Sequence, residues 1–447
     1  MKNEIDMLEG SLGRNIFRFA LPLAVTGILQ QLFNAADIVV VGRFVGKNAM
    51  AAVGSNAPLI NLLVTFFVGI SLGANVVMAQ FAGSHDVKRI QQAVHTSVLI
   101  AIAGGILVTT IGELAVDPVL RLLSVPDEVM GMSVTYLRIY LIGLPVIMLY
   151  NFEAAISRSQ GDSRTPLICL AVSGIINVCL NLFFVCIVGM TASGVALATV
   201  IANLLSSVMM FLFLRRGPEA TRIYIRQVRL HRDVLKKILY IGIPSGIQGM
   251  MFSLANIIVQ SAINSLGATI MAASAAAFNI EVIAWFIINS FGQACMTFAG
   301  QNYGAGRSER CKKVLRTSIL EDIVFTLAAC GLILLFGKEI LGLFNKDPGV
   351  INNGYLRLLT VFSAYAFTLI IENVSGYMRG FGLSMVPALT AMLCICGVRL
   401  LWVFFVFPDH PTFYTVMVVY PISLAINALA VSLACLILHP SRKKYRL

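Results

Sequence analysis

Asp37 stands in an otherwise apolar stretch, with Gln30 and Asn34 seven and three residues before it. That spacing puts all three side chains on one face of a helix. A second polar face follows at Ser173, Asn177 and Asn181, spaced i, i+4, i+8. A carboxylate among carboxamides suits one kind of chemistry. Burial favours the neutral acid while amide hydrogen bonds favour the anion, and this opposition fits reversible protonation. The competing reading is that Asp37, near the end of its apolar run, snorkels to an aqueous surface.

Few other ionisable groups interrupt the apolar runs. They are Glu281, Glu321, Asp322, Glu372 and Arg399. At helical rise, Glu281 lies about 28 Å and Arg399 about 21 Å along their spans, counted from one face of the membrane. Two readings of Glu281 stand, a structural ion pair with Arg399 and a cation-binding acid. Glu372 shares a helical face with Tyr365 and Thr368. It is either a second binding acid or a satisfied buried one. Glu321 and Asp322 follow the basic run Arg307–Arg316 closely, so pairing or snorkelling is the expectation for both.

The elements that hold these groups are set by composition. A hydrophobic fraction of 58% against 12% charged residues is more apolar surface than a water-soluble domain can hide. Crossing a hydrocarbon layer takes about 20 apolar residues in a helix, because backbone amides in lipid must bond within their own segment. That criterion predicts spans near residues 14–40, 50–79, 90–115, 132–155, 164–188 and 191–214. Six more are predicted near 236–266, 271–300, 312–336, 353–377, 385–407 and 412–438.

The two sets of six are copies. A shift of 221 residues carries Gly46, Met50, Ala51 and Ala52 onto Gly267, Met271, Ala272 and Ala273. It also carries Gln80, Gly83 and Arg89 onto Gln301, Gly304 and Arg310, and Arg158, Gly161, Ser163 and Pro166 onto Arg379, Gly382, Ser384 and Pro387. Pro22 and Pro244 are related by 222. Taken singly, these Gly, Ser and Pro positions read as turn geometry and helix ends. Together they define two parallel six-helix repeats with a substrate path between them, the plan of many secondary transporters. The buried acids are not repeated: Asp37 meets Ile258 or Val259, Glu281 meets Ile60, and Glu372 meets Asn151. The halves are therefore specialised. The organisation expected is a first lobe over 1–214, a basic linker over 215–235 and a second lobe over 236–447.

Net charge is +12, which raises the question of nucleic acid. Most of the 33 Lys and Arg fall in or beside alternate loops, densest between Arg215 and Lys237, so positive-inside topology accounts for the charge with both termini cytoplasmic. The acidic start, Met1 to Gly10, lacks the basic region and cleavage site of a signal peptide. Nine cysteines, an odd number lying in apolar spans, read as packing and not as disulfides or metal ligands. The five histidines, His85, His95, His231, His410 and His439, sit at span ends or in loops and form no catalytic or metal motif. Gly42 to Lys47 is one residue short of phosphate-loop spacing and is followed by Asn48, so it reads as an inter-span loop.

The chain resembles the multidrug and toxic compound extrusion (MATE) family of efflux transporters over nearly its whole length. The residues that carry the resemblance are Ala36 to Arg43, Pro22 fifteen residues before Asp37, Gly69 and Gly73 leading to Gln80 and Gly83, Arg158 to Pro166, and Gly194 to Thr199. The resemblance implies an all-α integral membrane fold of twelve helices in two pseudo-symmetric six-helix bundles around a central cavity. It also implies inner-membrane export of amphipathic, often cationic compounds in exchange for protons or sodium. The family's first-span aspartate and proline carry over to Asp37 and to Pro22 as a conformational hinge. Its polar cluster on spans five and six carries over to Asn177, Asn181 and Thr199; with Asp37 and its stripe neighbour Asn34 these make the expected ion-coupling set, and Asp37, Asn177, Asn181 and Thr199 would be the ligands of any sodium ion. Asn181 departs from a position that is often aspartate. The span-seven glutamate of one branch is missing, since Gln248, Asn256 and Gln260 are the polar residues there.

Substrate-contact candidates are Gln30, Glu281, Glu372 and Tyr365. No cofactor, enzymatic activity, resident metal or nucleic-acid partner is expected. The expected partners are the lipid bilayer and a small amphipathic solute, and the chain is expected to act as a monomer. A lipid-linked sugar flippase is the rival transport reading, but it would require several basic residues in the cavity, and Arg399 stands alone among them. An intramembrane enzyme would require a converging acid, base or nucleophile set that the sequence does not present.

Overall fold

A computed structural model describes residues 4–123 and 125–441. The extreme ends of the two expected lobes, 1–3 and 442–447, lie outside the described residues, as does Ser124. The described chain is helical throughout, with twelve helical segments long and apolar enough to cross a membrane.

In order, the helices are α1 (Leu12–Phe44), α2 (Lys47–Gly83), α3 (Val87–Leu122), α4 (Asp127–Ser159), α5 (Arg164–Leu182) and α6 (Ala192–Arg215). The second set is α7 (Arg232–Asn264), α8 (Ala268–Gly304), α9 (Ser308–Leu335), the short α10 (Gly337–Phe344), α11 (Pro348–Gly380), α12 (Met385–Ala391), α13 (Val398–Leu401) and α14 (Phe413–Leu438). Several helices run longer than the apolar windows alone suggest, α2 and α8 to 37 residues each. Two starts are capped by side chains: Asp86 before α3 accepts from the Arg89 amide, and Asp347 before α11, followed by Pro348, accepts from the Gly349 amide. Leu114, Leu332, Leu436 and Ile437 leave bare aliphatic side chains exposed, which suits a lipid solvent.

The repeated glycines have a backbone reason. Gly46 and Gly267 precede α2 and α8 at φ 117° and 99°, and Gly161 and Gly382 follow α4 and α11 at φ 90° and 86°. A side chain resists that region of backbone space, so both copies keep glycine where the chain must turn.

The chain packs as two compact units. The first runs from Val25 to Gly242, with the N-terminal stretch ending at Ile5. The second contains Asp6–Ala24 and everything from Ile243 onward. The helix α1 is thus shared, Pro22 belonging to the second unit and Asp37 to the first. Contacts account for the assignment. In the second unit Asn302 Nδ2 donates to the Met7 carbonyl at 3.0 Å, Arg307 Nη1 to that of Leu8 at 2.6 Å, and Phe17 stacks on Phe325. In the first unit Thr96 Oγ1 accepts from the His231 amide at 3.2 Å. There α2 and the start of α7 approach so closely that a Cβ on Gly242 would come within 2.7 Å of Ile70 Cα.

Within the first unit α4 packs against α2, α3 and α6. Within the second, α8 and α11 form the tightest pair, with Gly376 set directly against the Gly292 carbonyl. Three segments depart from α-helical winding into π turns: Phe183–Ile187 after α5, and Met392–Gly397 and Trp402–Val406 on either side of α13.

Candidate functional site

Three helices of the first unit bring polar side chains together inside an apolar wall. Asp37 comes from α1, Asn177 and Asn181 from successive turns of α5, and Thr199 from α6. Asn181 Nδ2 donates to Asp37 Oδ1 at 2.5 Å and to Asn177 Oδ1 at 3.2 Å. The Thr199 hydroxyl lies 3.3 Å from Asp37 Oδ2 and 2.9 Å from the Val195 carbonyl, and it accepts from Asn177 Nδ2 at 3.4 Å. One hydroxyl proton cannot serve both oxygens, so the bond to Asp37 alternates with the helix bond. Asp37 is 9% exposed and Asn181 fully buried, so the snorkelling alternative does not describe Asp37.

Every partner of this carboxylate is neutral, and Asp37 forms no ion pair among the described residues. An anionic aspartate here needs a cation to be compensated, and a proton or a hard monovalent ion meets that need. Oxygen donors are at hand in Asp37, Asn177, Thr199 and the buried Oδ1 of Asn181, which has no partner among the described residues. As placed, Asn181 turns its nitrogen toward Asp37. A half-turn of the carboxamide would exchange nitrogen for oxygen and convert an anion-holding arrangement into one that holds a cation between two oxygens.

Gln30 and Asn34, expected on the same stripe, are exposed on α1 and hydrogen-bond to neither Asp37 nor any other described residue. Pro22 is buried, and its ring removes the amide that would bond the Arg18 carbonyl, a local weakness in α1 fifteen residues from Asp37.

In the second unit the expected partner of Glu281 is corrected. Glu281 pairs with Arg357 and not with Arg399: Arg357 Nε reaches Oε2 at 3.1 Å and Nη2 reaches Oε1 at 2.5 Å. Arg357 Nη1 also meets Ser274 Oγ at 2.5 Å, and the Tyr365 hydroxyl donates to the Glu281 carbonyl at 3.1 Å. All four residues are buried. Arg357 sits one turn inside the start of an apolar run, where sequence reading assigns cations to the interface, and only the α8–α11 packing reveals its partner.

Asp322 is also corrected. It forms no ion pair among the described residues and does not snorkel; it is fully buried and accepts from Thr326 Oγ1 at 2.8 Å and Asn373 Nδ2 at 2.6 Å. The i, i+4 spacing of Asp322 and Thr326 was the available signal. Glu321 is half-buried and forms no ion pair among the described residues. Glu372 is likewise half-buried without a hydrogen bond among the described residues, on the helix that carries Arg379 two turns later. A further acid passed over by sequence reading, Glu153, is fully buried and accepts from Ser207 Oγ at 2.9 Å. The described residues contain no group of three or more His, Cys, Asp or Glu side chains able to hold a metal.

Known proteins share this organisation. A family model described as MatE matches residues 22–183 and 244–405, two segments that begin at Pro22 and Pro244. The chain is 28% identical to the probable multidrug resistance protein YoeA of Bacillus subtilis, covering 87% of this chain and 86% of that protein. It is 24% identical to the probable multidrug resistance protein NorM of Thermotoga maritima, over 87% and 84%. It is 23% identical to an FAD transporter of Shewanella oneidensis, over 82% and 81%. Its fold superposes on the crystal structure of a MATE protein in complex with MaD3S at a TM-score of 0.90, with 21% identity and 99% of each chain covered. An outward-facing MATE transporter gives the same score. With a family model spanning both repeats, the chain belongs to the MATE family of multidrug efflux transporters.

Proposed function

We propose that the chain is a secondary antiporter of the inner membrane that exports amphipathic drugs or toxic metabolites, cationic ones among them, in exchange for protons or sodium bound at Asp37. The observation that carries this reading is a buried carboxylate held only by neutral donors from three helices. Binding of a cation removes its charge and weakens its hold on Asn181 and Thr199. Those contacts tie α1 to α5 and α6, so their loosening frees α1 to move. Pro22, which lacks one backbone hydrogen bond, is where a bend costs least.

A proton entering down a potential of 100 mV releases about 2.3 kcal/mol, which supports roughly a 50-fold concentration ratio of a neutral substrate. The clustering of Lys and Arg in alternate loops favours cytoplasmic termini. The name of the YoeA relative agrees with drug export, and that of the Shewanella relative adds anionic metabolites to the solutes this family plan can accommodate.

The direct experiment is efflux of a cationic dye from cells expressing the protein, with proton and sodium gradients collapsed separately. Extrusion should stop when one of the two gradients is removed. Extrusion that survives removal of both would refute antiport.

A further inference from the structure

We propose that the second unit holds an anion site at Arg399, which receives the carboxylate or phosphate group of a transported amphiphile. Arg399 is 3% exposed in the interior of the eleventh span. Its Nη1 donates to Asn256 Oδ1 at 2.7 Å, its Nε to Ser423 Oγ at 3.3 Å, and the Tyr420 ring lies 4.5 Å from the guanidinium carbon. All three partners are neutral, and Nη2 donates to none of the described residues. The guanidinium cannot shed its charge, so it calls for a counter-ion. Glu281 forms no ion pair with it, because Arg357 occupies both of its oxygens. Arg357 is itself 5.8 Å from the same Tyr420 ring, so two guanidinium groups share one ring and one carboxylate, leaving a net positive charge.

The repeat places this cation on the counterparts of the three helices that hold Asp37 and its partners in the first unit. At the 221-residue shift Val178, between Asn177 and Asn181, falls on Arg399, and Thr199 falls on Tyr420. At the 222-residue shift that relates the two prolines, Asn34 falls on Asn256. Both clusters are therefore built on the same three helices of the repeat, with opposite charge. Asp37 offers an anion to a cation, and Arg399 offers a cation to an anion.

Local backbone geometry supports a ligand site. Arg399 lies on the single turn α13 between two π segments, and Asn181 lies two residues before the π segment that follows α5. Such segments concentrate at functional positions. Asn427, 1% exposed and one turn beyond Ser423 on the same face of α14, has no partner for either amide atom among the described residues. It presents a carboxamide donor on the face of α14 that carries Ser423, and the guanidinium fork matches a carboxylate or phosphate. Asn256 is exposed, so a ligand approaches by displacing one carboxamide.

The assignment to a transported ligand rests on the export reading above, whereas the site itself is read by binding without any gradient, so the two can fail separately. Of the two tryptophans, Trp402 lies one turn from Arg399, and Trp285→Phe makes it the only indole. Emission from the full chain in detergent is titrated with benzoate, inorganic phosphate and, as the neutral match, benzamide. Benzoate and phosphate should shift Trp402 emission saturably and benzamide should not. Arg399→Gln should weaken benzoate at least tenfold, Arg399→Lys less, and Asn427→Leu severalfold. An equal response to benzoate and benzamide, no saturable response to either anion, or unchanged benzoate affinity in Arg399→Gln would overturn the site; the first two comparisons need no substitution at Arg399. Displacement of benzoate by phosphatidylglycerol but not by phosphatidylcholine would assign the anion to a lipid headgroup and overturn the transported ligand.

Discussion

Replacing Arg357 by Gln removes the cation that holds Glu281 through two hydrogen bonds of 3.1 and 2.5 Å, in a pair whose side chains are 3% and 7% exposed. The carboxylate is then left buried without its counter-charge. Breaking one side of such a pair costs about 3–5 kcal/mol. At about 2–4 °C per kcal/mol for a unit of some 200 residues, the melting temperature should fall by about 6–20 °C. Restoring neutrality with Glu281→Gln in the same chain leaves two amides able to bond each other and Ser274. The double variant should therefore recover most of the loss, so the two substitutions should be strongly non-additive. The assay is unfolding in detergent followed by tryptophan emission for the parent, both singles and the double. Equal melting temperatures for Arg357→Gln and the double variant would refute the reasoning. So would a Glu281→Gln variant that loses substrate affinity with no change in melting temperature, since that describes a free cation-recognising acid.

Other consequences are as direct. Thr326→Val removes one of the two donors to the buried Asp322 carboxylate and should cost about 1–3 kcal/mol, read by the same melting assay. Asn181→Asp places a second carboxylate against Asp37, and two such groups hold a shared cation more tightly, so the ion concentration giving half-maximal efflux should fall at least about tenfold. Pro22→Ala returns an amide to the Arg18 carbonyl and stiffens α1. Turnover should slow severalfold in a vesicle transport assay while substrate binding to the purified protein stays within about twofold.

Much of the architecture was legible because its causes are local. Twelve apolar runs must become helices in lipid, and the two glycine pairs at Gly46, Gly267, Gly161 and Gly382 repeat because the chain turns with positive φ at each. The Asp37 cluster was half legible. Asn177 and Asn181 announce themselves by i, i+4 spacing, and the resemblance to the family pointed to Thr199, whereas Gln30 and Asn34 share the spacing of Asp37 but remain exposed. Helical periodicity gives a face but not what that face meets. Glu281 shows the same limit. Depth along a span makes Arg399 its expected partner, but α8 and α11 come together at Gly354, where a Cβ would meet the Ala273 carbonyl at 3.3 Å, and this packing delivers Arg357 instead. Nor does composition mark the π turns beside Asn181 and Arg399, or the packing of Asp6–Ala24 in the second unit. The packing depends on contacts between residues far apart in sequence.

Asp37 as the coupling carboxylate is the centre of this account, and proteoliposomes test it most directly. Purified parent and Asp37→Asn protein, reconstituted at equal density, are loaded with a cationic dye and exposed to an imposed proton or sodium gradient. Dye movement against its own gradient should follow one of the two ions in the parent and be absent in Asp37→Asn, while dye-for-dye exchange without an ion gradient continues in the parent. Full ion-driven extrusion by Asp37→Asn would contradict the account.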